Sequence, residues 1–426
     1  MFYFKLAIKS IFERHQQYKS LFLVSAVGIC LMLSAIMITD GMIDSMNEKA
    51  RQYYGGDLQF VGGPAYSNIE SDADYAISIL KECIDDDEVV VSKRYNHDAS
   101  SESYYFEGTS VRQRVILGVD FENEKKLFDK FTFVEGSYKY EGAENTVLIS
   151  EPIAAKLGCH IGDSITLYIT TDDGFKNTLD LIVSGIFQDT SVFGMYTSYV
   201  NYNSLMKGLN MSQNEVNRIG IYYDDGMPSL IEQQKLQTKL ENHFQMFPLG
   251  LEKDYFYDEY DDDGRWALIS LDSNVSELKL LVQALKLIVA TIVILLVIII
   301  SVGISSTYRV IVIKRNVESG TLRALGMKPS GIMRMFVTEG FVLLLSGSII
   351  GFICSLLIVN IAKIFNLSFI TGFDLFLTGG CLAPSCNLVK IVLFVSVIIV
   401  TTLLSVLFTL RKLVHVSPVG AITSTN

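Results

Sequence analysis

The residue types that most often carry chemistry are scattered in this sequence. The five histidines lie far apart, at His15, His97, His160, His243 and His415. No H-E-x-x-H zinc pair, no G-x-S-x-G nucleophile turn and no G-x-x-x-x-G-K-[ST] phosphate loop occurs. The sequence therefore predicts no catalytic residues, no metal site and no bound cofactor. If the protein uses ATP, we expect the ATPase to be another polypeptide.

A short basic link between two apolar runs is the best candidate for a functional site. Residues 318–326, ESGTLRALG, are mildly amphipathic and end at a glycine, and Ser330 is placed to cap the helix that follows. This pattern fits a short helix along the membrane to which a partner could dock, and it fits an ordinary loop equally well. The candidate docking residues are Glu318, Gly320, Leu322, Arg323, Ala324, Leu325 and Gly326.

The apolar run after the link begins at an acidic residue, Glu339. Acidic residues in such positions are often functional, and this one could anchor its helix or pair with Arg334 or Arg323. An interfacial acid in contact with water is the alternative. Because the apolar runs hold no chain of Asp, Glu or His, an ion-coupled pump is disfavoured.

Small residues follow Glu339 at helical spacing. Gly347 and Gly351 are four residues apart, and Gly340 precedes them with a longer gap. G-x-x-x-G spacing lets helix backbones approach closely, so this run is a candidate contact face with a second subunit.

Six cysteines are present, and two pairs lie outside the apolar runs. Cys381 and Cys386 form one candidate disulfide pair, and Cys83 and Cys159 form another. Free thiols fit the spacing as well as a bridge does in either pair. Neither pair has the second pair nearby that a zinc site requires.

Four apolar runs, at residues 20–39, 287–306, 340–361 and 391–410, are long enough to cross a bilayer. Mean hydropathy is +0.34, which is high for a soluble protein. Basic residues cluster before the first run, between the second and third, and after the fourth. The positive-inside rule therefore places the link and both termini in the cytoplasm.

Charge separates the chain into two parts. Residues 40–278 hold 19 basic and 42 acidic residues, a net charge of −23, whereas the rest holds 16 and 4, a net charge of +12. An acidic block repels phosphates, so nucleic acid is excluded as a partner. Its last part, DYFYDEYDDDGRW, fits a recognition loop for a basic partner and equally a solvated linker.

Periodicity in the acidic block predicts an α+β domain between two stalk helices. The first stalk should bury Met42, Met46 and Ala50 and end at Gly55, before a strand at residues 58–62. Further strands are expected at 164–170, 175–187 and 218–223. A helix over 228–243 should bury Leu230, Leu236 and Leu240.

The fold class is therefore a membrane protein with four transmembrane α-helices and a large α+β extracytoplasmic domain between the first two. The expected domain map begins with an amphipathic N-terminal helix at 1–19, and the four spans follow at 20–39, 279–306 (with a stalk), 339–362 and 388–410. Between the spans lie the α+β domain at 40–278, the link at 307–338 and an outer loop at 363–387. A tail at 411–426 ends the map.

Several motifs make the chain resemble the FtsX/MacB-type ABC transporter permeases. Their signature R-x-x-E-I-G-x-L-R-A-L-G-A is matched from Arg315 to Gly326, with Ser319 and Met327 replacing an isoleucine and an alanine. The following helix opens with Glu339 and Gly340, as in the family. VEGSY, VLISEPIAAKLG and GDSITL resemble the MacB-like periplasmic core domain, and VSPVGAI resembles the family's closing motif. Span number, length and the single large domain are most similar to the LolC/LolE lipoprotein-releasing permeases.

This resemblance implies a function in the bacterial inner membrane with the α+β domain in the periplasm. Residues 318–326 would be the coupling helix that docks on an ABC ATPase dimer, which binds ATP and Mg²⁺. A second permease subunit, identical or not, membrane lipid, a lipoprotein cargo and a periplasmic carrier would be the other partners. Motion at the coupling helix would be transmitted mechanically to the outer domain.

Two other functions remain open for a permease of this kind. One is a MacB-like efflux or peptide-export permease with a separate ATPase. The other is an FtsX-like regulatory permease that activates an extracytoplasmic hydrolase or sensor kinase.

Overall fold

The structure, a computed structural model, describes residues 2–62, 72–86, 88–139, 144–171, 173–224, 226–250, 265–370 and 372–413. It divides into two compact units. Unit 1 comprises residues 1–41, 283–365 and 383–426, and unit 2 comprises 42–282 and 366–382. Most of the acidic, aromatic DYFYDEYDDDGRW segment and all of the closing VSPVGAI motif lie outside the described residues.

The described helices, in chain order, are α1 (Phe2–Glu13), α2 (His15–Tyr54), α3 (Ala73–Cys83), α4 (Lys125–Phe128), α5 (Glu151–Leu157), α6 (Tyr202–Leu209), α7 (Leu230–Leu240), α8 (Leu271–Asn274), α9 (Ser276–Lys314), α10 (Asn316–Ala324), α11 (Pro329–Ala362), a 3₁₀ helix (Phe373–Phe376) and α12 (Leu388–Leu413). The described strands are β1 (Leu58–Gly62), β2 (Val90–Asp98), β3 (Ser103–Phe106), β4 (Thr109–Arg112), β5 (Val115–Val119), β6 (Phe133–Gly136), β7 (Thr146–Ser150), β8 (Ser164–Thr170), β9 (Lys176–Phe187), β10 (Thr197–Asn201), β11 (Arg218–Tyr222) and β12 (Trp266–Ser270).

Four of these helices, α2, α9, α11 and α12, are long and apolar enough to cross a membrane. This confirms the four spans read from hydropathy. The helices also extend beyond the apolar runs, since α2 has 40 residues and α9 has 39. Their packed side chains form the core of unit 1, in which α1 packs along α11.

Unit 2 is built on a twelve-stranded sheet of described strands in the order β12-β1-β11-β2-β5-β10-β7-β9-β8-β3-β4, with β6 on β9. The pairs β5/β10 and β7/β9 are parallel, and the others are antiparallel. Strand β8 alternates between buried and more exposed residues as its sequence predicted. Helices α3, α5, α6 and α7 contribute to the apolar core of this unit, which makes it an α+β domain.

The first stalk, residues 42–54 of α2, forms as expected. Met46 and Ala50 are buried, Met42 is half-buried, and Gly55 follows the helix at a φ of +87°. Because a left-handed φ suits glycine, this residue can end the helix.

Two local expectations were wrong. Leu230 is exposed, because it is the first residue of α7 and the buried stripe begins one turn later at Gln233. Lys328, and not Ser330, is the N-cap of α11, because Pro329 fixes the first helical position.

Candidate functional site: the link between the second and third spans

The link forms the predicted short helix, α10, which runs from Asn316 to Ala324. Gly326 follows it at a φ of +93°, a conformation that favours glycine. Leu325 is 85% exposed, although it is a large apolar side chain. Gly320 is buried, Leu322 and Arg323 are half-buried, and Ala324 is exposed. The helix therefore presents an uncovered leucine at its C-terminal end.

Arg315, between α9 and α10, is the centre of a buried polar network. Its Nη1 donates to Glu339 Oε2 at 2.6 Å and to the Tyr18 hydroxyl at 2.9 Å, and its Nε donates to Glu318 Oε2 at 3.0 Å. The guanidinium carbon also lies 4.9 Å from the centre of the Phe336 ring. One buried side chain thereby contacts α2, α10 and α11, the helices that position the link.

Glu339 is fully buried and pairs with Arg315. The Tyr18 hydroxyl also donates to its Oε2 at 2.9 Å. The expected pairing with Arg323 or Arg334 and the water-exposed alternative are therefore both wrong. Arg334 points out of the core on the same helix. A buried carboxylate needs a cation and hydrogen-bond donors, and Arg315 and Tyr18 supply them.

Glu318 connects the link helix to the N-terminal segment. Its carboxylate pairs with Arg14, which lies between α1 and α2, as well as with Arg315. Burial raises the pKa of this carboxyl, but hydrogen bonds from Arg315 and Arg14 outweigh burial, so the pKa lies below its usual value. Glu318 is therefore a stable anion that holds α10 between two arginines.

The glycines of α11 pack against α2 of the same chain. A Cβ on Gly347 would overlap Ser25, and a Cβ on Gly351 would overlap the carbonyl oxygen of Ala26. Gly340 is buried with ordinary spacing around it. This corrects the expectation that the face meets a second subunit, because small residues on both helices already bring these backbones together.

All six cysteines are free thiols in the structure, including the candidate pair Cys381 and Cys386. Among the described residues, no group of three or more His, Cys, Asp or Glu side chains is arranged to hold a metal ion.

The sequence identified the link, Leu325 and Glu339 as candidates, but it gave no sign of Tyr18 or of the central role of Arg315. Tyr18 is 297 residues from Arg315, and no local spacing connects them. The network connects the link helix to α2 and α11 through buried polar contacts.

Two segments of the chain match known families. Residues 275–418 match the FtsX-like permease C-terminal family, and residues 22–233 match the MacB-like periplasmic core domain. The chain is also similar to "Macrolide export ATP-binding/permease protein MacB 2" of Aeromonas hydrophila subsp. hydrophila, with 28% identity over 212 residues. That alignment covers 48% of this chain and 30% of the relative.

Among solved structures, the periplasmic region of MacB from Actinobacillus actinomycetemcomitans aligns with 54% of this chain and 95% of its own, at 11% identity and a TM-score of 0.32. The two family matches fall on the parts that the sequence motifs singled out, since the first contains the α10 signature and the second contains most of the sheet. Residues 275–418 therefore belong to the FtsX-like permease C-terminal family, and residues 22–233 belong to the MacB-like periplasmic core domain family.

Proposed function

We propose that this chain is the membrane subunit of an ABC transporter, driven by ATP hydrolysis on a separate ATPase subunit. The observation that carries the proposal is the 85% exposed Leu325 on a helix fixed from behind by Arg315 and Glu318. An exposed apolar side chain on a helix that ion pairs hold in place can insert into an apolar pocket of a partner protein. Residues 318–326 are therefore the proposed coupling helix, in contact with an ATPase dimer that binds ATP and Mg²⁺.

The two stalk helices would transmit force from the ATPase to the outer domain. Helices α2 and α9 each continue without a break from residues of unit 1 into residues of unit 2. A continuous helix transmits displacement along its axis, whereas a flexible linker absorbs it. We infer mechanotransmission to the outer domain in the bacterial inner membrane, with both termini in the cytoplasm and the sheet in the periplasm.

The proposed cargo is a lipoprotein, which the transporter would extract from the outer leaflet and pass to a periplasmic carrier. Helix α9 leaves many apolar side chains uncovered, among them Leu287, Ile299 and Val302, each more than half exposed. Such a surface fits acyl chains or a second permease subunit, identical or not. Resemblance to the lipoprotein-releasing branch in span number and domain size also supports this cargo.

Macrolide or peptide efflux is the second candidate. The Aeromonas relative is named for macrolide export, and it aligns with this chain over 212 residues. That observation favours a soluble substrate over a lipid-anchored one.

The test is purification of the full chain in mild detergent, followed by identification of its partners. We expect a P-loop ATPase, and in proteoliposomes of the complex we expect ATP-dependent release of a fluorescent triacylated lipopeptide. Release of a fluorescent macrolide without the lipopeptide would replace lipoprotein extraction with efflux. A complex that contains a cell-wall hydrolase or sensor kinase and releases neither probe would overturn the transport proposal in favour of regulation.

A further inference from the structure

Three charged side chains are buried together in unit 2, apart from the link. Lys49 lies on the stalk part of α2, Asp189 follows β9, and Asp374 lies in the 3₁₀ helix. Their exposed fractions are 8%, 8% and 1%. Lys49 Nζ lies 3.1 Å from Asp189 Oδ1 and 2.8 Å from Asp374 Oδ2. One ammonium group thus joins two carboxylates from distant parts of the chain.

Backbone amides complete this buried cluster. Thr190 N donates to Asp374 Oδ2 at 2.8 Å, and Ser191 N donates to Asp189 Oδ1 at 2.8 Å. Both carboxylates therefore have donors besides the lysine, whereas the described structure gives Lys49 Nζ only these two carboxylates as hydrogen-bond acceptors. Removing the ammonium would leave two buried acids facing each other without a cation.

The charges in the cluster are not balanced. Burial raises the pKa of the Asp189 carboxyl, and Lys49 offsets only part of this effect. Asp374 is the carboxylate closer to Lys49 Nζ, and it lies on the segment between the third and fourth spans.

The same region of the stalk makes two further contacts with the segment around Asp374. Ser45 Oγ lies 2.9 Å from Thr378 Oγ1. Leu375 is buried in a cluster with Met46 and Ala50. Residues 366–382 belong to unit 2, although the helices before and after them, α11 and α12, belong to unit 1. The connection between the third and fourth spans is thus fastened to the first stalk.

We propose that Lys49 is a positioning residue that fastens the segment 373–378 to the stalk of α2, so that the two move as one body. This inference rests on the proposed function, because it assumes that the stalk of α2 transmits force and that the segment 373–378 moves with it. Stalk displacement would reach the third and fourth spans through their outer connection, in addition to the inner connection through Arg315.

The test uses a cysteine pair at the Ser45–Thr378 contact, S45C with T378C, in the full chain with C381S and C386S. Two hydroxyls 2.9 Å apart mark positions within reach of a disulfide. The cross-linking yield in membranes then measures how closely the segment 373–378 is held to the stalk, and this measurement does not require the ATPase. The matched control for K49M is K390M, because Lys390 pairs with Asp40 at 2.9 Å but is half exposed.

We expect K49M to lower the cross-linking yield at least roughly threefold, because breaking a buried ion pair is costly, whereas K390M leaves it unchanged. D374N should behave like K49M, and D189N should lower the yield less, because D189N leaves the contact between Lys49 on the stalk and Asp374 on the segment in place. Equal yields in K49M and K390M would overturn the attachment role, and so would a larger loss from D189N than from D374N.

Function is tested separately in the complex with its ATPase. ATP-dependent release of the triacylated lipopeptide should fall in K49M and return when the S45C–T378C disulfide forms, since a covalent bond replaces the ionic one. Reductant should abolish this rescue. A disulfide that blocks release in the parent chain would show that the segment has to detach, and would overturn the proposal. A parent complex that releases nothing would instead contradict the proposed function and leave the cross-linking comparison valid.

Discussion

The side chain of Arg94 occupies the space in which a side chain on Gly55 would lie. A Cβ on Gly55 would overlap Nε and Cδ of the arginine. Arg94 is fully buried, its Nε lies 3.0 Å from Glu124 Oε1, and its Nη1 donates to the carbonyl oxygens of Gln52 at 3.0 Å and Tyr53 at 3.1 Å. A charged side chain from β2 thereby caps the last turn of α2 and joins the first stalk to the sheet.

This relationship predicts that G55A destabilises unit 2 more than G174A does. Both glycines have a positive φ, +87° and +83°, so either alanine costs about 1–2 kcal/mol in strain. Gly174 has open space around it, whereas an alanine at position 55 must also displace Arg94 from Glu124, at about 3–5 kcal/mol. Thermal unfolding followed by the fluorescence of the single tryptophan, Trp266, measures the difference. Equal losses of stability in G55A and G174A would mean that Arg94 can move away from position 55 at no cost in free energy.

A charge on the exposed leucine of the link should uncouple the ATPase from transport. L325E removes an apolar anchor, and because Leu325 is exposed the fold should be retained. We expect ATP-dependent release from proteoliposomes to fall at least roughly tenfold, a loss of about 1.4 kcal/mol or more of docking free energy. L230E is the control, since Leu230 is also exposed and lies in unit 2. Full release with L325E would refute the docking role.

Removing the Tyr18 hydroxyl should weaken the buried polar network around Arg315 and so destabilise the folded chain. The hydroxyl donates to Glu339 and accepts from Arg315, so Y18F leaves a buried carboxylate with fewer donors, at about 1–3 kcal/mol. Y105F is the control because Tyr105 is 48% exposed. We expect a lower unfolding temperature for Y18F in detergent and no change for Y105F. An unchanged temperature for Y18F would show that the network tolerates the loss.

The buried thiol of Cys159 should resist alkylation. Burial raises its pKa to about 11, so the thiol stays protonated in the folded chain at pH 7 to 9. A raised pKa stabilises the fold below the pKa of the unfolded thiol, and this contribution is lost as pH rises through about 11. Maleimide should therefore label the exposed Cys386 in the native chain at pH 7, and Cys159 only after denaturation. Mass spectrometry of C386S, which should lose the native label, checks the assignment.

Transport by a force-transmitting permease requires the link and the sheet to lie on opposite sides of the membrane. L325C and F175C each place a cysteine at an exposed position, 85% and 73% exposed in the parent chain. In a background without native cysteines, we expect a membrane-impermeant maleimide to label F175C in intact cells and L325C only after permeabilisation. Labelling of both in intact cells would rule out the proposed topology.

Sequence alone predicted the elements that depend on neighbouring residues. Apolar runs long enough to cross a bilayer identified the four spans. The free energy of inserting a helix into lipid is a sum of contributions from consecutive residues, so the sequence alone is enough to recognise a span. Alternation identified β8, and a helix that stops at glycine identified the end of α2. For α10 the local pattern fitted a short helix and a loop equally well. The signature motif located the link.

Tertiary structure alone decided which side chains meet. The partner of Glu339 is Arg315 and not Arg323 or Arg334, and the helix against Gly347 is α2 and not a second subunit. Lys49 joins Asp374 across 325 residues of sequence, a pairing that no local pattern encodes. A buried charge takes whichever partner the packed helices bring within about 3 Å, and that choice depends on the whole fold rather than on spacing along the chain.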